Sequence, residues 1–206
     1  MSSVPSTNPT SQLGEPAWEI ATLFPAQGGW SLDEYLALDT NHLVEFSHGR
    51  VEVLPMPTEM HQMIVAFLYE SIKAFVAESG LGKVLFAPLK VRLSEDVIRE
   101  PDVLFMKSEN NDRRGNQYWT GADMVVEVVS NDDPDRDWKL KRVEYAAAGI
   151  SEYWIVDPRD ESVTVFTLPD GANEYTEAGK YRRGERAASL LLSGLQIDVT
   201  EVFSQQ

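Results

Sequence analysis

Apolar residues recur at helical spacing between Thr58 and Gly80. Met60, Ile64, Phe67, Leu68, Ile72, Phe75 and Val76 make one broad face. Thr58 is an N-cap and Gly80 a stop, which predicts a helix over 59–79. Ser31 and Glu34 form a capping-box pattern that opens a short helix through Ala37. Leu43–Ser47 and Arg50–Leu54 are β-like runs around His48-Gly49 and read as a hairpin, ended by Pro55 and Pro57. Further strands are expected at 83–87, 89–93 and 102–106, followed by a long polar loop over 107–122. The β-branched run 123–129 reads as the central strand. A second helix should span Arg136–Ala148 and stop at Gly149, with strands at 152–156 and 162–168 after it. The remainder, to Phe203, reads as short β segments and turns. The order predicts an α/β sandwich around a mixed sheet rather than regular βαβ winding.

Composition bounds this picture. With 206 residues and 43% hydrophobic content, the chain can build one good core and is short for two full domains. Residues 1–16, rich in Ser, Thr, Pro and Asn, should form a mobile arm. Nothing approaches the ~20 apolar residues of a membrane span, so no membrane partner is expected. No secretory signal pattern is visible at the N-terminus. The absence of cysteine excludes disulfides and thiolate chemistry and fits a cytoplasmic protein. A net charge of −15 argues against nucleic-acid binding by the whole surface, so a DNA partner would need a local basic patch.

Glu127 is the most informative residue. Strand alternation puts it on one face with Val125 and Val129, where an ionised carboxylate needs a cation or a metal. The plainer reading is a solvated carboxylate on an edge strand. Asp102 follows Pro101 at the start of Val103–Met106; it is either a turn residue or, with Glu127, one of two oxygen donors of a Mg²⁺ site. Lys141 lies four residues after Asp137 and four before Tyr145, so the three share a helical face. Spacing alone favours an exposed Asp137–Lys141 pair. His61 sits near the edge of the first helix's apolar stripe, and Glu45 alternates with Leu43 and Ser47 on the hairpin; neither is diagnostic alone. Zinc-type His/Glu pairs, phosphate loops and nucleophile elbows are absent from the sequence.

An ordered set of motifs links these residues. It runs through Glu45-Phe-Ser-His-Gly49, Pro57-Thr-Glu-Met-His61, Pro101-Asp102, Val126-Glu127-Val-Val-Ser130, Asp137-Trp-Lys-Leu-Lys141-Arg-Val-Glu-Tyr145 and Gly149 to Pro158. This set resembles the Uma-two family of bacterial nuclease-like proteins, within the PD-(D/E)xK superfamily, over about Ser31 to Leu168. The resemblance implies a restriction-endonuclease-like fold for residues 17–206, a single domain with a mixed sheet flanked by helices. It implies a metal-dependent endonuclease acting on DNA, with Asp102 and Glu127 holding Mg²⁺ or Mn²⁺. The superfamily's usual lysine position is Val129 here; the family's variant with the lysine on the following helix matches Lys141. Asp102, Glu127 and Lys141 then form the catalytic set, supported by Glu45, His61, Asp137 and Tyr145. Arg113, Arg114, Arg136, Lys139 and Arg142 are the expected DNA contacts if they converge on the metal.

Two other readings stand beside this one: a non-catalytic interaction module that keeps the nuclease fold, and a metal-dependent hydrolase of another phosphoester. A homodimer is expected, because cutting two strands needs two sites, with Tyr118, Trp119 and the β-rich C-terminal part offering apolar surface. A chain beginning near Pro16 should unfold at the same thermal midpoint as the full chain. A loss of many degrees in calorimetry would show that the arm packs.

Overall fold

The computed structural model describes residues 24–205 apart from 39 and 41. The arm expected over 1–16 lies outside the described residues.

The described part opens with α1 (Leu32–Leu36). The Ser31 side chain accepts the Glu34 N–H and the Glu34 carboxylate accepts from the Ser31 backbone, the capping box read from the sequence. β1 (Val44–Ser47) and β2 (Arg50–Val53) follow as an antiparallel hairpin. Its two-residue turn, His48-Gly49, takes positive φ at both positions, the twist that a tight hairpin needs. α2 (Glu59–Ser79) is capped by Thr58, whose hydroxyl accepts the His61 N–H, and ends at Gly80 in the left-handed region. Then come β3 (Gly82–Phe86), β4 (Lys90–Arg92), β5 (Val97–Arg99) and β6 (Val103–Lys107). A short 3₁₀ segment over Ser108–Arg113 leads to β7 (Tyr118–Thr120) and β8 (Met124–Val128). The segment Arg136–Lys141 winds in wide π-type turns and passes into α3 (Arg142–Ala147). β9 (Glu152–Asp157), β10 (Ser162–Thr167), β11 (Thr176–Arg182), β12 (Arg186–Ala188), β13 (Gln196–Asp198) and α4 (Val199–Val202) complete it.

Two sheets carry the architecture. The larger has the order β11-β10-β9-β8-β6-β3, with β8–β9 parallel and the other pairs antiparallel. The smaller has the order β2-β1-β5-β4-β7. Alternation along β8 divides the core. Met124, Val126 and Val128 pack under Ile64, Leu68 and Ile72 of α2, while Val125 and Val129 face Tyr145, Trp119 and Tyr153 on the opposite side. With both faces covered, all five β8 residues are buried. The expected mixed sheet flanked by helices is therefore the observed fold.

Three expectations need correction. The polar stretch 107–122 is not a plain loop: it holds the 3₁₀ segment and β7, and Asp123 pins its start by accepting from the Lys107 N–H and the Asn110 amide. Trp119 offers no surface to a partner, because it is only 2% exposed, inside the core, under the Arg114 guanidinium. The second helix is regular only over Arg142–Ala147. The Tyr153 hydroxyl donates to the Asp137 carbonyl at 3.0 Å and engages that carbonyl from outside the helix, where the turns are wide. β5 is an addition that the pattern did not announce.

The C-terminal segment is tied to the sheet by one carboxylate. Glu152, fully buried on β9, accepts from the Trp154 indole at 2.8 Å, the Ser189 hydroxyl at 2.6 Å and the Leu190 and Leu191 N–H groups at 2.7 and 2.8 Å. Glu152→Ala strands four buried or half-buried donors and should lower stability by at least ~3 kcal/mol. Urea unfolding would read this as a lower midpoint. An unchanged midpoint would show that the segment's other contacts, among them the Arg183 bond to the Phe203 carbonyl, hold it without Glu152.

Candidate active site

Register brings the first two residues together. β6 pairs with β8 antiparallel, Val103 opposite Val126, and one more step of that ladder sets Asp102 opposite Glu127. Directly opposed residues project to the same face, with Cβ atoms ~5 Å apart. Asp102 lies where its strand begins. Its Oδ2 accepts the Val128 N–H at 2.8 Å and stands 3.3 Å from Nε2 of His61, which reaches over from α2 and also lies 3.1 Å from the Val128 carbonyl.

Glu127 is 2% exposed on a central strand, which excludes the solvated edge-strand reading. Its Oε1 accepts from the Tyr145 hydroxyl at 2.5 Å and stands 3.0 Å from the Lys141 ammonium. Burial lifts its carboxyl to about 8; Lys141 pulls it part of the way back, while the charges of Asp102 and Asp137 push it up again.

Lys141 and Asp137 are not an exposed pair. Both are buried, and the ammonium lies among three carboxylates: Glu127 at 3.0 Å, Asp137 at 3.2 Å and Glu45 at 3.8 Å. Burial opposes its charge, but Glu127, Glu45 and Asp137 outweigh that and hold the ammonium well above its ordinary pKa. Burial raises Asp137 in turn, against the pull of Lys141. Burial also works against charge on Glu45, yet Lys141, Arg99 and Arg136 bring that carboxyl down to about 2. For His61, burial disfavours the imidazolium, but the bond and charge of Asp102 prevail and its pKa is raised. The candidate set Asp102, Glu127, Lys141, Glu45, His61, Asp137 and Tyr145 thus meets in one half-buried cluster.

The basic residues behave differently. Arg136 reaches the cluster, but its guanidinium is committed to Glu45 and Glu52. Lys139 pairs with Asp135 in solvent at 2.6 Å, and Arg142 lies over the Phe166 ring. Arg113 donates to the Thr120 carbonyl and Arg114 to Asn111, both beside β7. No hydrogen bond or ion pair joins either of them to the cluster among the described residues.

Three residues of the network were not foreseen: Arg99, Glu144 and Glu52. Arg99 on β5 donates to Glu45 at 2.9 Å and in a fork to Glu144 at 2.7 and 2.6 Å. The one available signal was an arginine after Val97-Ile98 and three residues before Asp102.

A divalent cation would find hard oxygen donors here. Glu127 commits Oε1 to Tyr145 and Lys141, and Asp102 commits Oδ2 to Val128 and His61. Glu127 Oε2 and Asp102 Oδ1 carry no protein hydrogen bond among the described residues, so each acid keeps one oxygen for a ligand. No three His, Cys, Asp or Glu side chains form a metal-holding group among the described residues. Two carboxylates completed by water suit Mg²⁺, which keeps several waters. A hollow of about 280 Å³ beside the network is lined by Glu45, Arg50, Glu52, Arg99 and Leu140, and not by Asp102, Glu127 or Lys141. A larger one, about 400 Å³, lies at Trp138, Arg159 and Lys180; it holds none of these carboxylates, and its own acids are already paired.

A family described as "Putative restriction endonuclease" (Uma2) matches residues 32–200. The chain belongs to this family. Its fold is shared with the crystal structure of a "putative nuclease belonging to DUF820" from Anabaena variabilis, with a TM-score of 0.68 and 19% identity over 85% of this chain and 98% of that one. No curated protein matches the chain. The Uma2 match contains every residue of the cluster, from Glu45 to Tyr145.

Burial changes what a Lys141 substitution should do to stability. For an exposed pair, Lys141→Ala would cost tenths of a kcal/mol, but here it leaves buried carboxylates without their cation, and a loss on the order of 3–5 kcal/mol is expected. Lys139→Ala, which breaks a solvent-exposed pair, should cost a small fraction of that. Denaturant titration of the two proteins would show equal effects if Lys141 were a surface residue.

Proposed function

We propose that this Uma2 protein is a metal-dependent endonuclease that hydrolyses DNA phosphodiester bonds, with Asp102, Glu127 and Lys141 as its catalytic set. The observation that carries this reading is the buried ammonium of Lys141 held 3.0 Å from Glu127, whose strand neighbour across the ladder is Asp102. Family membership supports a nuclease role. Mg²⁺ or Mn²⁺ would be held by Asp102 and Glu127 through the oxygens they leave uncommitted. When bound, the ion would act as a Lewis acid on a phosphodiester oxygen and lower the pKa of a nearby water.

The chain's own residues do the rest. Tyr145 and Lys141 fix one oxygen of Glu127, and His61 and the Val128 N–H fix one of Asp102, so both acids are oriented before substrate arrives. Lys141 brings a full positive charge into a half-buried site, where it would stabilise negative charge growing on the phosphate. Asp137 keeps that ammonium in place. A homodimer would supply two such sites to a duplex.

The deciding experiment is cleavage of plasmid and linear DNA with Mg²⁺ and with Mn²⁺, beside calorimetric titration of Mn²⁺. Glu127→Ala and Asp102→Ala should abolish both cleavage and Mn²⁺ binding. Lys141→Ala should lose ~10²–10³ in rate, assayed where it is folded, with Mn²⁺ binding retained. Mn²⁺ binding without cleavage of any DNA would favour the interaction-module reading.

A pH dependence follows from Glu127. Its carboxyl is held up at about 8 and gives up its proton when a cation binds. Mn²⁺ affinity should therefore rise with pH up to about 8 and level off above it. A flat affinity from pH 6 to 9 would show that Glu127 is already ionised or is not a ligand.

A further inference from the structure

We infer that Glu45 is the positioning residue that fixes Lys141 relative to Asp102. This rests on the nuclease reading for its consequence but on geometry for its content. Glu45 is fully buried on β1, and each of its oxygens bridges the same two pieces of chain. Oε1 accepts the Glu100 N–H at 3.1 Å and lies 3.8 Å from the Lys141 ammonium. Oε2 accepts from Arg99 at 2.9 Å and from Arg136. Arg99 and Glu100 lead directly into Pro101-Asp102, while Arg136 and Lys141 begin and end the wide turn. One carboxylate therefore spans the gap between the stretch of chain that leads into Asp102 and the segment that presents Lys141.

The clamp is itself held. Glu144 on α3 grips the Arg99 guanidinium through a two-bond fork, and Glu52 on β2 takes the other side of Arg136. Lys141 has three N–H donors and three carboxylates around it. Glu127 and Asp137 are its two short ion pairs, at 3.0 and 3.2 Å, and Glu45 adds a third, longer one at 3.8 Å. Among the described residues Glu45 bonds to neither Asp102 nor Glu127, so its effect on the chemistry passes through the groups it spaces. Stability alone is a poor reason for this hub, since a buried ion cluster is seldom better than apolar packing of the same volume. Geometry is the better reason, because a displacement of ~1 Å at a catalytic group can reduce the rate ~10²-fold.

The test uses the full chain. Glu45→Gln keeps the shape and removes the charge, but leaves Arg99 and Arg136 short of a partner. The double variant Glu45→Gln/Arg136→Gln removes one charge of each sign, and the remaining partner of Arg136, Glu52, is 58% exposed. Arg136→Gln alone is the reference. Two readouts are taken: the Mn²⁺-dependent cleavage rate at saturating DNA, and the ¹⁵N ammonium resonance of Lys141 in metal-free protein, assigned by its loss in Lys141→Met. The double variant should cleave ~10- to 100-fold more slowly than the reference, with little change in KM, and its Lys141 resonance should vanish into fast exchange. A folded double variant that keeps either the reference rate or the protected resonance overturns the inference. If the wild-type chain cleaves no DNA, the nuclease reading fails, and the resonance alone decides whether Glu45 holds Lys141.

Discussion

A carboxylate on the middle strand of a sheet covered on both faces is the constraint from which this site follows. Glu127 sits between Val125 and Val129 against the second core and is 2% exposed, so it needs a partner there. The Lys141 ammonium supplies one, but the lysine is buried too and carries its own desolvation. Asp137 and Glu45 offset that, and Glu45 is in turn balanced by Arg99 and Arg136. Each buried charge requires the next, until the chain of pairs reaches solvent at Glu52. Two features that look unrelated share this origin: the arginine on β5 and the fork from Glu144. Six carboxylates (Glu45, Glu52, Asp102, Glu127, Asp137, Glu144) surround three permanent cations (Arg99, Arg136, Lys141). Glu127 keeps its proton up to about 8 when no cation is bound, and a divalent cation would take that proton's place.

Much of the fold was readable because its signals are local. The helix over 59–79 announces itself by cap, stripe and αL stop, and the hairpin by His48-Gly49 between β-branched runs. Glu127 was readable for a different reason: a lone acid among valines contradicts its surroundings, and such contradictions mark sites. Lys141 was ambiguous, since an i,i+4 Asp–Lys pair has the same spacing exposed or buried. Only packing against β8 and β9 decides, and that is a tertiary fact. β5 is three residues long between acidic neighbours, too short for alternation to show. His61 and Glu45 looked ordinary because their partners, Asp102 and Arg99, are 41 and 54 positions away. Trp119 misled in the opposite direction: it stands in a polar stretch yet is core, because its short strand pairs with β4.

The same network bears on how a nucleic acid would be recognised. The chain has 33 acidic and 18 basic residues, and the site takes Arg99, Arg136 and Lys141 out of the basic total for internal use. Of the expected DNA contacts, Arg136 is committed within the protein, Lys139 is paired with Asp135, and Arg113 and Arg114 bond beside β7. A net charge of −15 works against a broad positive field, so a duplex would have to be met by a local patch. On the nuclease reading proposed above, a phosphodiester would be held by a few short contacts near the cluster and by the cation that Asp102 and Glu127 would bind. Binding of that kind depends weakly on monovalent salt and strongly on the divalent ion. Such binding would favour discrimination over grip, because it would engage only where local geometry lets the phosphate and the metal meet.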